Sequence, residues 1–130
     1  MSINDYLQTA DWKKEKHAPV IDSPEKVKSG EEFSVSLTIG KEFPHPNTTE
    51  HHIAWIELYF KSDEGKFPSL MGRFEFSSHG ESVKGANEGP AYTEPKVSIA
   101  LKLKESGSLT ALSYCNIHGL WESSNPIIVE

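Results

Sequence analysis

Lys96-Val97-Ser98-Ile99-Ala100-Leu101-Lys102-Leu103-Lys104 sets Val97, Ile99, Leu101 and Leu103 on one face and polar or small residues on the other. Successive side chains of an extended chain point to opposite faces, so this alternation predicts a strand with one face buried. The same reading extends upstream. Phe33, Val35, Leu37 and Ile39 alternate over 32–39, and Val20-Ile21 between Pro19 and Pro24 suits a short edge strand. His52 to Lys61 (HIAWIELYFK) and Met71 to Ser77 (MGRFEFS) are rich in β-branched and aromatic residues. Leu109 to Tyr114 and Pro126 to Val129 complete seven predicted strands.

Between these runs Gly, Pro, Ser and Asn mark turns at 29–30, 40–47, 63–68, 77–95, 106–107 and 123–126. The stretch 77–95 is the longest connection and reads as a mobile loop, with His79 solvated in it. The one helical signal is N-terminal. Ile3, Tyr6, Leu7 and Ala10 follow helical spacing, with Ser2 and Asp5 as caps. About seven short strands and a short N-terminal helix predict an all-β, immunoglobulin-like antiparallel sandwich or barrel. The Cys–Trp–Cys pattern of true immunoglobulin domains is absent, so only the architecture is implied.

The chain has 130 residues, 36% hydrophobic and 25% charged. That is enough for one domain spanning 1–130 and too little for two. No apolar run approaches the ~20 residues that cross a bilayer, and the N-terminus lacks a secretory pattern, so the expected compartment is the cytoplasm. Thirteen basic against nineteen acidic residues give a formal net charge of −6, which argues against nucleic-acid binding. A local basic cluster, Lys13, Lys14 and Lys16, remains able to attract a small anion. The single cysteine, Cys115, excludes an intrachain disulfide.

Five of the six histidines and that cysteine fall in three short segments: Glu15-Lys16-His17-Ala18-Pro19, His45-Pro46-Asn47-Thr48-Thr49-Glu50-His51-His52, and Cys115-Asn116-Ile117-His118-Gly119-Leu120-Trp121. Cys115 and His118 are spaced to reach one metal from a tight turn, which Gly119 relieves. Pro46 stiffens the loop between His45 and His51. His51 and His52 point to opposite sides of a locally extended backbone, so only His51 is a candidate ligand and His52 reads as a packed or hydrogen-bonded residue. The candidates are His17, His45, His51, His118 and Cys115. Four nitrogens and a sulfur exceed the tetrahedron of structural zinc. A blue-copper site would want a nearby methionine, and the chain has only Met1 and Met71. Five ligands with an open sixth position suit iron that meets a small molecule.

In these three segments the chain resembles the superoxide reductases, also called neelaredoxins, and the iron domain of desulfoferrodoxins. The match spans essentially the whole chain, without the extra cysteine-rich domain of desulfoferrodoxins proper. The resemblance implies a seven-stranded fold holding one iron per chain. His17, His45, His51 and His118 would be its equatorial ligands and Cys115 its axial one. Glu15 would occupy the sixth position in the ferric state, and Lys16 would draw in superoxide. The implied activity is one-electron reduction of superoxide to hydrogen peroxide. Rubredoxin is the implied electron donor, and the implied assembly is a dimer or tetramer. The alternatives are a non-catalytic metal-binding sandwich and an electron-transfer protein.

Overall fold

A computed structural model describes all 130 residues. Eight strands form two sheets: β1 (Val20–Asp22), β2 (Lys26–Val27), β3 (Phe33–Thr38), β4 (Ile53–Ser62), β5 (Ser69–Glu75), β6 (Lys96–Leu101), β7 (Gly107–Cys115) and β8 (Gly119–Val129). One sheet has the order β1-β3-β6, the other β2-β8-β7-β4-β5. All pairings are antiparallel except the two-residue β2, which runs parallel to β8. The expected sandwich is therefore present, with β2 as a strand too short to leave a periodic signal.

The core lies between the sheets. Ile21, Val35, Leu37 and Leu101 from one face meet Ile53, Ile56, Leu58, Leu109, Ala111 and Ile127 from the other. Leu37, Ile56, Leu58 and Leu109 are fully buried, each contributing roughly 1.5–3 kcal/mol of transfer free energy. In β7 the alternation is unbroken: Gly107, Leu109, Ala111, Ser113 and Cys115 all face inward. Cys115 is thus the last inward position of a core strand. β4 has a register irregularity between Ile53 and Trp55, which lets Ile53 and Ile56, three residues apart, both turn inward.

Three local readings differ from the structure. The N-terminal helix over 3–10 is a single 3-10 turn, Ile3–Asp5, with the Ser2 amide donating to Asp5 Oδ2 at 2.9 Å. Beyond it Gln8 bridges to Trp121, so the segment is held by β8 instead of by its own turns. β8 begins at Gly119 and runs through Ser123 to Pro126, whose composition reads as a turn. Pro126 is tolerated because β2 pairs only with Ile128 and Val129, leaving no partner there to miss its N–H. The segment 77–95 is not loose: Gly80 N donates to Ala91 O at 3.1 Å and Thr93 N to Ser78 O at 2.7 Å, closing it into a compact flap.

Chain direction brings three connections to one end of the sandwich: the approach to β1, the β3–β4 loop and the β7–β8 hairpin. The hairpin loop has three residues, Asn116 to His118, between paired Cys115 and Gly119. Gly119 has φ +81°, the left-handed residue that closes such a loop. Gly40, also at φ +81°, begins the β3–β4 loop, and a Cβ there would lie 2.6 Å from His45 N. Gly40→Ala is expected to cost about 1–3 kcal/mol through left-handed strain and displacement of this loop. The denaturant midpoint measures it, and an unchanged midpoint would contradict the close approach.

Candidate metal centre

All five candidate ligands arrive at that end. His17 precedes β1 and is 5% exposed; His45 and His51 lie on the β3–β4 loop; Cys115 and His118 flank the β7–β8 hairpin. The four imidazoles form a closed circuit. Ring centroids are 4.8 Å apart for His17–His45, 4.8 Å for His45–His51, 5.0 Å for His51–His118 and 4.8 Å for His118–His17. The measured diagonal, His17–His51, is longer at 6.4 Å. Four nearly equal sides and a longer diagonal set this ring apart from a tetrahedral set, in which all separations would be alike. Donor atoms of His17, His45, His51 and Cys115 lie within 4.8 Å of one another. His118 joins them through Nδ1, 3.2 Å from His17 Nε2 and 3.8 Å from Cys115 Sγ.

Hydrogen bonds select which nitrogen each ring offers. His45 Nδ1 donates to Pro46 O at 2.7 Å, leaving Nε2 as its free acceptor. His17 Nδ1 donates to Glu15 Oε2, so its Nε2 is the nitrogen turned to the others. His45 Nε2 and His51 Nε2 are buried without any hydrogen-bond partner. Orphaned buried nitrogens are rare, and a cation at the centre of the circuit would satisfy both.

The family model for desulfoferrodoxin matches residues 9–124. This chain belongs to the desulfoferrodoxin family. It is 52% identical to the neelaredoxin of Megalodesulfovibrio gigas over 130 residues, covering the full length of both. It is 54% identical to the superoxide reductase of Pyrococcus furiosus over 121 residues, 93% of this chain and 95% of that one. The reduced superoxide reductase (neelaredoxin) of Archaeoglobus fulgidus superposes with a TM-score of 0.88 at 54% identity, covering 95% of this chain and 98% of that one.

The surroundings of this desulfoferrodoxin-family centre explain why its residues hold their places. The His118 amide donates to Cys115 Sγ at 3.3 Å, the kind of bond that tempers a thiolate. The His118 carbonyl accepts from Trp121 Nε1 at 3.2 Å and from Gln8 Nε2 at 3.1 Å. Trp121 also stacks on His17, 4.8 Å between centroids and 11° between planes. It therefore packs against one ligand ring and holds the backbone of a second ligand. Asn116 ties the hairpin to the other loop: its Oδ1 accepts from His52 N at 2.8 Å and its Nδ2 donates to Glu50 O at 2.9 Å. His52 is hydrogen-bonded, Nδ1 to Thr48 O at 2.9 Å, as expected of a non-ligand. His79 is not solvated. It is 3% exposed, and neither its spacing nor its Ser-Ser-His-Gly context signals this.

Glu15 grips His17 from outside the circuit, taking its Nδ1–H and its backbone N–H, and accepts from Ala18 N at 3.1 Å. Burial alone would raise its carboxyl, but these bonds outweigh it and hold Glu15 below the usual carboxylate range. Lys16 forms no ion pair and borders a surface depression with Lys14, Glu15 and Phe43. A larger cavity, about 450 Å³, lies at the other end between Ser23-Pro24-Glu25 and β8 and contains no comparable cluster.

Burial, above all, pushes His45 down from its ordinary 6.5 to about 4, with the His17, His51 and Lys16 charges adding to it and the Pro46 bond opposing it. His51 moves the same way, first through burial and then through the charges of His118, His17, Lys16 and His52. Both rings thus stay neutral, as a metal ligand must. In the metal-free protein the folded pKa lies below the unfolded one, so the unfolded chain binds the extra proton between them. The stabilisation is full above pH 6.5 and lost as pH falls toward 4. Between pH 7 and 5 the apoprotein is expected to lose about 2 kcal/mol through His45 alone, read from denaturant midpoints. A midpoint that stays level across that interval would contradict the depressed histidine.

Proposed function

We propose that this chain is a superoxide reductase holding one iron, which His17, His45, His51, His118 and Cys115 would bind. The closed ring of four imidazoles beside the buried Cys115 sulfur carries the reading: its five donors exceed the four that structural zinc takes. The names of its relatives in Megalodesulfovibrio gigas and Pyrococcus furiosus support it. A blue-copper electron carrier is disfavoured because Met1 is fully exposed and Met71 lies on β5, packed against the hydrophobic core.

Superoxide takes up one electron and two protons and leaves as hydrogen peroxide, with no dioxygen released. Ferrous iron, when bound, supplies the electron. The chain supplies the rest. Lys16, engaged in no ion pair, raises the local concentration of the anion beside the centre. Its charge is felt at both His45 and His51. The Cys115 thiolate donates electron density from the buried side, moderated by the His118 amide. Glu15, held below the usual carboxylate range beside Lys16, orients His17 through its Nδ1 and would be the carboxylate available to a bound iron. Rubredoxin is our choice of donor, and Ile117, 59% exposed between Cys115 and His118, offers an apolar landing point beside the centre. A cytoplasmic homo-oligomer, dimer or tetramer, completes the reading; no helix is long and apolar enough to cross a membrane.

Reduced, iron-loaded protein mixed with superoxide should yield one peroxide per superoxide consumed and no dioxygen. Lys16→Ala should lower the second-order rate constant by about tenfold and flatten its salt dependence, with iron content unchanged. Evolution of dioxygen would mean dismutation, absence of reaction would leave a metal-binding module, and an unchanged Lys16→Ala rate would remove Lys16 from the mechanism.

A further inference from the structure

His79 stands outside the three ligand-bearing segments, yet it is among the most buried polar residues of the protein. Both ring nitrogens face oxygens. Nδ1 lies 3.1 Å from Asn47 Oδ1 and Nε2 lies 2.7 Å from the Phe76 carbonyl. The far end of Asn47 fixes its orientation. Nδ2 donates to Thr93 O at 3.0 Å and faces Glu94 Oε1 at 3.5 Å, so the end presented to His79 can only accept.

His79 touches the ligand loop at two more places. Its carbonyl accepts from Thr49 Oγ1 at 2.8 Å. Its ring lies flat against His52, 3.5 Å between centroids and 4° between planes. Asn47, Thr49 and His52 occupy the loop between and just beyond His45 and His51, the two residues whose Nε2 atoms are buried without partners. Asn87, at φ +63°, adds an outer fastening by donating from Nδ2 to Glu50 at 3.0 Å and accepting from Thr49 N at 2.8 Å. The flap 77–95 is therefore the backing plate of the loop, and His79 is the buried bolt through it.

We propose that His79 is a positioning residue of the metal centre, holding His45 and His51 at their separation through Asn47, Thr49 and His52. The proposal rests on the metal-site reading above. Packing alone would need only a flat ring of similar size. Positioning needs the ring nitrogens as well. Residues that orient ligands from behind typically cost 10–100-fold in metal affinity when lost.

The test is anaerobic competition for ferrous iron between the protein and a chromophoric chelator. His79→Phe keeps a ring for the stack and removes both hydrogen bonds. With folding confirmed by circular dichroism, its ferrous affinity should fall about tenfold or more, and its ferric thiolate-to-iron band should shift. Asn47→Ala, which reaches the same bond from the other side, should also lose affinity. The double variant should lose less than the sum of the two singles, because they share the His79–Asn47 bond. A folded His79→Phe with affinity within twofold of wild type and an unshifted band would reduce His79 to packing and overturn the proposal. Fully additive losses would do the same. If His79→Phe does not fold, wild-type affinity in Asn47→Ala overturns it. Wild-type protein that takes up no ferrous iron, or unchanged affinity in Cys115→Ser, would overturn the metal reading and this proposal with it.

Discussion

His45 Nε2 and His51 Nε2 lie buried in the protein with nothing to bond, facing a space that the rings of His17 and His118 and the sulfur of Cys115 also border. Burial of polar atoms without partners costs on the order of 1–3 kcal/mol each, so such an arrangement persists only where the surrounding fold imposes it. Here it is imposed from three directions. The carbonyl of Pro46 turns His45, the carboxylate of Glu15 turns His17, and the closed hairpin turns His118. A cation is the group that would satisfy all five donors together. The fold's cost of assembling them would return as metal affinity.

The sandwich makes this possible because its core strands end at the centre. Cys115 is both the last buried residue of β7 and the donor nearest the core, so the same alternation that packs Leu109 and Ala111 also sets the sulfur's depth. Ile53, its partner across the sheet, keeps that side dry. Lys16 and Glu15 lie at the margin of the centre in partly exposed chain, Glu15 against the outer edge of His17. The centre thus combines a dry, apolar side with charged groups at its margin, the polarity that suits an anionic substrate.

Much of this was legible in the sequence because it rests on local pattern. Alternation over 32–39 and 96–104 placed two strands of the three-stranded sheet. The Cys-x-x-His-Gly spacing marked a tight hairpin with two donors, and His45 with His51 marked the loop facing it. What stayed hidden depends on contacts distant in sequence. Ser123 to Pro126 has turn composition but continues β8, because β7 supplies a ladder on one side and the other side needs no N–H at Pro126. The flap 77–95 is rich in Ser, Gly and Asn and reads as mobile, yet it is ordered by Asn47, Thr49 and Glu50 from some 30 to 40 residues away. His79 owes its burial to those same partners, and no periodicity announces it.

The most direct measurement is the visible spectrum of the iron-loaded protein, oxidised and reduced, beside Cys115→Ser. The account requires a ferric form with a broad thiolate-to-iron band that disappears on reduction and is absent from the variant. A colourless protein that binds zinc but not iron, or a band unaffected by losing Cys115, would contradict a centre built on four imidazoles and this sulfur.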